Sequence, residues 1–249
     1  MGLLSCGLET LYYIDYIPGG DMEDVTRATI ILPSSSAEGY SNYFSHFIIF
    51  YRIYISGAIQ SGKIETIEDR SLINTTLNSD FTSIYPSTDI TNTNVNTSSL
   101  ENTFYNRRYF ALTLEGEEIN TVLGSDSLGK TLEIVFPPNT GERPALMLRG
   151  ASSSTDKPYT LQRAVIGPGL SFTPQPNRYF LNHPDLYNNA NVTNELNADV
   201  AINNRTDPPL RSTYVSMYIA AVGLSLEMPP RTIYSQPTFI GIFRLAESS

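Results

Sequence analysis

The chain has 249 residues, 41% of them hydrophobic and 16% charged, which is too apolar for a disordered acidic chain and long enough for one large domain or two small ones. Sixteen Tyr and 11 Phe suit pleated strands, while 16 Gly and 16 Pro supply turns and argue against long helices. A net charge of −9 repels a phosphate backbone and Arg107-Arg108 is the only adjacent basic pair, which speaks against nucleic acid as a partner.

In chain order, Val25 to Leu32 reads as a strand stopped by Pro33. Phe44 to Ser56 is the strongest strand signal. Phe47, Ile49, Tyr51, Ile53 and Ile55 fall on one face, and His46, Ile48, Phe50, Arg52 and Tyr54 on the other. Both faces are substantially apolar, which predicts a central strand ended by Gly57, with Phe47, Ile49, Tyr51 and Ile53 in the core. Its most apolar part is about half a membrane span and carries Arg52, so it does not read as a spanning helix. Between Ser71 and Thr103, 20 of 33 residues are Ser, Thr or Asn, a loop-like composition. Within it Ile73, Leu77, Phe81 and Ile84 recur at helical spacing, predicting a short helix over 70–85 and a mobile segment to about 103. Further strands are predicted at Tyr109 to Glu115, Thr131 to Phe136, Ala145 to Leu148 and Leu161 to Ile166. Residues 167–210 lack a sustained period. Two clear strands close the chain, Tyr214 to Leu226 and Thr238 to Leu245. The expected fold class is all-β, an antiparallel sandwich.

Three of these segments carry a resemblance. Phe50-Tyr51-Arg52-Ile53-Tyr54 looks like the third strand of a fibronectin type III domain. Tyr214-x-Ser216-x-Tyr218-x-Ala220 resembles its penultimate strand, and Ser235-Gln236-Pro237 the opening of its last. The resemblance implies an Ig-like sandwich of two packed sheets. The match covers about 25–56 and 212–246. The chain departs from the family in having no Trp and in a stretch between the matching halves about twice the family's length. The domain expectation is therefore a tether over 1–24 and one elaborated sandwich over 25–249, with a large insertion or extra strands over about 57–211, where the short helix lies.

Leu3-Leu4-Ser5-Cys6-Gly7 resembles a bacterial lipobox, in which the Cys is acylated after signal cleavage and anchors the chain in a membrane leaflet. Only Met1 to Ser5 precede it, and the bland alternative is a small apolar residue near a terminus. Lipobox and sandwich together resemble envelope lipoproteins of Gram-negative and spirochaete-type bacteria, a resemblance that implies binding or envelope architecture. On the lipobox reading, the polar Glu9 to Asp24 stretch is the tether.

The remaining motifs carry less chemistry. Gly124-Ser-Asp-Ser-Leu-Gly129-Lys130-Thr131 fits the P-loop pattern, but that loop needs a helix after Thr131 and the following residues alternate as a strand up to Pro137-Pro138. A hairpin turn between two strands is the expectation, with no nucleotide. His46 beside Ser45 and His183 before Pro184 lack a nucleophile elbow. Asn182, Asp185, Asn188, Asn189 and Asn191 concentrate oxygen ligands without EF-hand spacing, and Asn-rich turns explain the same composition. Asn74, Asn96, Asn191 and Asn204 form glycosylation sequons that matter only in a eukaryotic secretory host. Neither a metal nor another cofactor is expected. Tyr40, Tyr43, Tyr85, Tyr105, Tyr179 and Tyr187 fall in or near loops, where they either line a glycan- or protein-binding surface or fill the core.

These readings lead to a non-enzymatic protein of the bacterial envelope, lipid-anchored at Cys6, with a binding or structural surface for a protein or glycan. The alternative is an envelope enzyme acting on polysaccharide through paired carboxylates, with Glu115, Glu117 and Glu118 as candidates.

Overall fold

The computed structural model describes residues 14, 17–18, 26–57, 109–138, 142–150, 157–164, 179–180, 199–202, 211–226, 228–230 and 232–245. Their elements are β1 (Arg27–Ile31), β2 (Phe44–Gly57), β3 (Phe110–Ala111), β4 (Thr113–Leu114), α1 (Ile119–Val122), a 3-10 turn (Ser125–Ser127), β5 (Thr131–Val135), β6 (Ala145–Arg149), β7 (Tyr159–Gln162), β8 (Val200–Ile202), β9 (Arg211–Leu224), β10 (Thr232–Tyr234) and β11 (Thr238–Arg244). The fold is an all-β sandwich. One sheet has the order β1-β5-β6-β7-β4. The other runs β10-β9-β2-β3, with β11 also on β9 and β8 also on β2.

The long antiparallel pair β2–β9 is the spine of the second sheet, and its register sets Ile49 against Ile219, Tyr51 against Met217 and Ile53 against Val215. Side chains alternate across a strand. Phe47, Ile49, Tyr51 and Ile53 therefore point with Val215, Met217, Ile219 and Ala221 into the space between the sheets. They meet Ala28, Ile30, Leu132, Ile134, Leu146 and Leu161 from the facing sheet there. The opposite faces of β2 and β9 form a second apolar cluster, in which Ile48, Phe50, Tyr218, Ala220 and Val222 pack with Tyr109, Tyr234 and Phe239. That double burial is what the two apolar faces of Phe44 to Ser56 predict. The three segments resembling a fibronectin type III domain lie together, with β9 flanked by β2 and β11.

Several expectations are corrected. Tyr109 to Glu115 is two short strands rather than one. Buried Leu112 donates its N–H to the Ile49 carbonyl (2.7 Å), after which the chain leaves β2 and pairs with β7, so it crosses from one sheet to the other and closes that side of the sandwich. β7 begins at Tyr159 and ends at Gln162, because Arg163 turns inward to Asp199. β8 and β10 were hidden by their three-residue length, and β8 is the one parallel partner among the described strands. Residues 57–211 hold β3 to β8, four of which (β4 to β7) belong to the five-stranded sheet, so the stretch supplies extra strands.

Ile14 and Ile17, placed in the tether by their polar neighbours, are buried in the core. The helix expected over 70–85 lies outside the described residues. The Gly124–Thr131 segment joins α1 to β5 and makes no hairpin, since β4 pairs with β7 and β5 with β1 and β6. Its turn is held by Ser127 Oγ donating to the Gly124 carbonyl (2.6 Å) and by Gly129 N–H reaching the Pro33 carbonyl (2.8 Å). Thr131 opens a strand, so the helix N-terminus that a phosphate-binding loop needs does not follow.

Candidate functional site

Polar side chains gather in three places. The first is inside the sandwich. Tyr51 donates its hydroxyl proton to Asp199 Oδ2 (2.8 Å), and Arg163 meets the same carboxylate through Nε–Oδ2 (2.8 Å) and Nη2–Oδ1 (2.5 Å). Ala164 N–H donates back to the Tyr51 hydroxyl (2.8 Å), and Ile53 N–H to the Asp199 carbonyl (2.9 Å). Tyr51 stands on β2, Arg163 directly follows β7 and Asp199 directly precedes β8, so the network ties the two sheets together. Burial opposes the charge on Arg163, but the Asp199 carboxylate outweighs it with help from Tyr51 and holds the guanidinium above its ordinary pKa. The paired arrangement satisfies charges that would be costly alone, and it reads as structural.

The second group lies on the outer face of the five-stranded sheet. Glu133 on β5 is buried between Arg27 of β1 (Nε–Oε1, 2.5 Å) and Arg149 of β6, whose Nε bonds Oε2. This carboxylate faces away from the core yet is covered by two half-exposed arginines, whose guanidinium groups pair with it from either side.

The third group is exposed and draws on distant parts of the chain. Glu115, just past β4, donates its backbone N–H to the Thr160 carbonyl (3.0 Å) and presents its side chain beside β7. Tyr179 bridges to Gln162 at the end of β7, which turns its ring outward while its neighbour Phe180 enters the core against Tyr51 and Phe136. Arg143, two residues before β6, completes the set. Its Nη1 lies 3.2 and 3.4 Å from the Glu115 carboxylate oxygens, and its guanidinium stacks 3.7 Å from the Tyr179 ring centroid. The Tyr179 hydroxyl donates to Glu115 Oε1. Alongside, Lys157 Nζ bonds Glu117 (3.0 Å) and lies 5.3 Å from the Tyr159 ring centroid.

The electrostatics of this platform are set by its pairings. The Tyr179 hydroxyl, followed by the Arg143 charge, holds the Glu115 carboxyl below the usual glutamate range. Reciprocally, Glu115 raises the Tyr179 phenol and Glu117 raises Lys157. At neutral pH the site therefore combines an ionised carboxylate, an intact phenol and two cations each matched by an anion. It is rich in donors and acceptors and carries no net charge.

That assignment bears on the paired-carboxylate alternative. A glycosidase acid must keep its proton near neutrality, which needs a raised pKa. Glu115 is shifted the other way, Glu117 is ion-paired, and Glu118 caps α1 by accepting the Thr121 and Val122 N–H groups at its carbonyl. Of the loop tyrosines, Tyr40 is buried against Phe44 and Phe47, whereas Tyr179 joins the platform. Cys6, Tyr85, Tyr105, Tyr187, His183, the Asn182 to Asn191 cluster and all four sequons lie outside the described residues.

His46 sits at a bulge where Phe44 pairs with Gly223 and His46 with Val222, and its Nδ1 is 3.1 Å from Ser45 Oγ. Burial lowers its pKa from the ordinary 6.5. The unfolded chain then takes up a proton as pH falls through about 6.5, while the folded chain does not until lower pH. Stability from this group is complete above that value and declines below it. Denaturant midpoints measured at pH 7.5 and 5.5 are expected to be lower at 5.5, and His46→Gln to shrink that difference. An unchanged difference in the variant would assign the acid sensitivity to other groups.

No protein-family model, curated protein or solved structure matches the chain. Among the described residues, no helix is long and apolar enough to cross a membrane.

Proposed function

We propose that the protein is a non-catalytic recognition module of the bacterial envelope, anchored by acylation at Cys6, that binds a neutral polysaccharide on the Glu115–Arg143–Tyr179 platform. The observation that supports this reading most directly is the platform itself. Two exposed side chains and a half-buried tyrosine, far apart in sequence, are locked together by hydrogen bonds and stacking into a charge-balanced array. Sugar hydroxyls need donors and acceptors at fixed positions together with a flat apolar surface, and preorganised tyrosine supplies both with little entropy loss. A phosphate or an acidic chain would instead call for uncompensated cations, and the chain carries −9 overall. The depressed pKa of Glu115 suits an acceptor that stays ionised. The lipobox-like Leu3-Leu4-Ser5-Cys6-Gly7 supports the anchor.

Affinity electrophoresis through gels containing a glucan, a mannan or a galactan tests the binding reading. Retardation of the wild type by at least one of these is expected. Arg143→Ala and Tyr179→Ala should each weaken it about tenfold or more at unchanged melting temperature. No retardation in any gel, or retardation indifferent to both variants, would overturn the reading. Release of reducing ends that disappears in Glu115→Gln would replace it with the enzymatic one. For the anchor, Cys6→Ser should move the protein from the detergent phase to the aqueous phase, and a wild type already in the aqueous phase would remove it.

A further inference from the structure

We infer that the β9–β10 hairpin tip is a lipid-contacting wedge that enters a zwitterionic membrane surface beside the acyl group at Cys6. Its placement rests on the lipid-anchor reading above. The described large hydrophobics that stand exposed are Ile31 and, within five residues of one tip, Leu224, Leu226 and Met228, at 51, 67 and 98% exposure. A lone exposed Ile is ordinary, but three apolar side chains alternating at one protruding tip are not. The intervening Ser225 is buried, and Thr232 pairs with Leu224 and Tyr234 with Val222, so the tip is held by its own strands and extends the apolar outer face of β9.

The backbone of this tip suits a lipid surface. Met228 is followed by exposed Pro229 and Pro230, which have no N–H to leave unsatisfied when water is removed. The charges of Glu227 and Arg231 in the same loop sequence restrict entry to the headgroup level. A net charge of −9 disfavours anionic lipid, which leaves a zwitterionic surface.

The length of chain from Ile14 to Cys6 lets the anchor reach the same end. Gly223, the residue before the tip, has no room for a Cβ because that atom would stand 2.3 Å from the Tyr43 carbonyl oxygen and 2.5 Å from Ile14 Cδ1. Ile14 is therefore packed at the base of the hairpin, and it follows Cys6 by eight residues, a span of about 29 Å at most when fully extended. Acyl chains at Cys6 and the tip can thus reach one membrane plane. Because one acyl chain gives only marginal binding, a second contact would strengthen attachment and orient the sandwich.

The chain has no Trp, so Met228→Trp provides a clean probe, with Thr29→Trp on the outer face of β1 as its control. Emission is read with phosphatidylcholine vesicles, with and without bromine on the lipid acyl chains, for the full chain carrying Cys6 and for its Cys6→Ser form. Mass spectrometry of the Cys6 peptide reports acylation separately. The expected result is a blue shift and bromine quenching at position 228 only. In the Cys6→Ser form, Leu226→Ser with Met228→Ser should lower vesicle partitioning about tenfold or more at unchanged melting temperature. Acylated, vesicle-bound protein whose position-228 emission matches buffer would overturn the wedge and leave the anchor standing. An unmodified Cys6 with a lipid-induced shift at 228 would remove the anchor and keep the wedge. A shift that appears without lipid and grows with protein concentration would assign the tip to a second copy of the chain, and a shift seen only on adding another protein to an unlipidated system would assign it to that protein. Either result overturns the lipid assignment.

Discussion

Replacing Asp199 by alanine is expected to cost about 3–5 kcal/mol of folding stability, because it leaves the Arg163 guanidinium buried without its counter-charge. The side chains are almost fully enclosed, 8% exposed for Arg163 and 1% for Asp199, so water cannot replace the lost partner without opening the interior. The same substitution removes the acceptor of the Tyr51 hydroxyl, which adds a second unfavourable contribution within that range. Arg163→Met combined with Asp199→Asn should recover most of the loss, since the buried cation is gone and an amide oxygen still accepts from Tyr51. Urea denaturation of the two variants at one pH makes the comparison. A loss below about 1 kcal/mol for Asp199→Ala would show that the guanidinium escapes to solvent and that the pair does not hold the sheets together.

This network also marks where sequence reading stops. The alternation from Phe47 to Ile53 identified Tyr51 as a core residue, but a buried phenol requires a partner, and that partner sits 148 positions later in a stretch without periodic pattern. Asp199 is one carboxylate among many until β8 pairs with β2 and carries it beneath Tyr51. Strands with sustained alternation were legible because one-face burial writes a period of two into the chain. Strands of two or three residues leave no period to read, and the parallel β2–β8 contact has no local sequence signature at all. The passage of residues 109–115 between sheets was missed for the related reason that Leu112 is inward-facing in both settings.

The candidate site was legible in half. Glu115, Glu117 and Tyr179 were singled out as carboxylates and as a loop aromatic, while Arg143 and Lys157, which determine what those groups do, were not. Their partners lie 28 and 40 residues away, so no spacing rule applies. The neighbour of each carboxylate, which keeps Glu115 ionised and pairs Glu117 with Lys157, is a property of the tertiary fold. Ile14 and Ile17 failed for a different reason. An average over Glu9 to Asp24 reads as polar, yet those two isoleucines are buried in the core, with Thr238 Oγ1 donating to the Ile17 carbonyl.

Ile49→Ala is expected to cost about 2–5 kcal/mol, the range for truncating a fully buried aliphatic side chain when the site cannot collapse around the loss. Collapse is resisted on both sides of this residue. Its backbone is held by the β2–β9 ladder opposite Ile219 and by the Leu112 N–H bonded to its carbonyl, so β2 cannot shift inward to fill the space. The facing sheet is tied to β2 a few residues away through Tyr51, Asp199 and Arg163, which fixes the separation of the layers. Ile31→Ala makes the control, since the same atoms are removed from a side chain 71% exposed on an edge strand and the change should stay within about 0.5 kcal/mol. The contrast between these two isoleucines measures the core directly. Equal small losses in both would mean that the Ile49 side chain does not lie between the two sheets. A large loss at Ile49 alone follows if the spacing of the layers is as rigid as its cross-links imply.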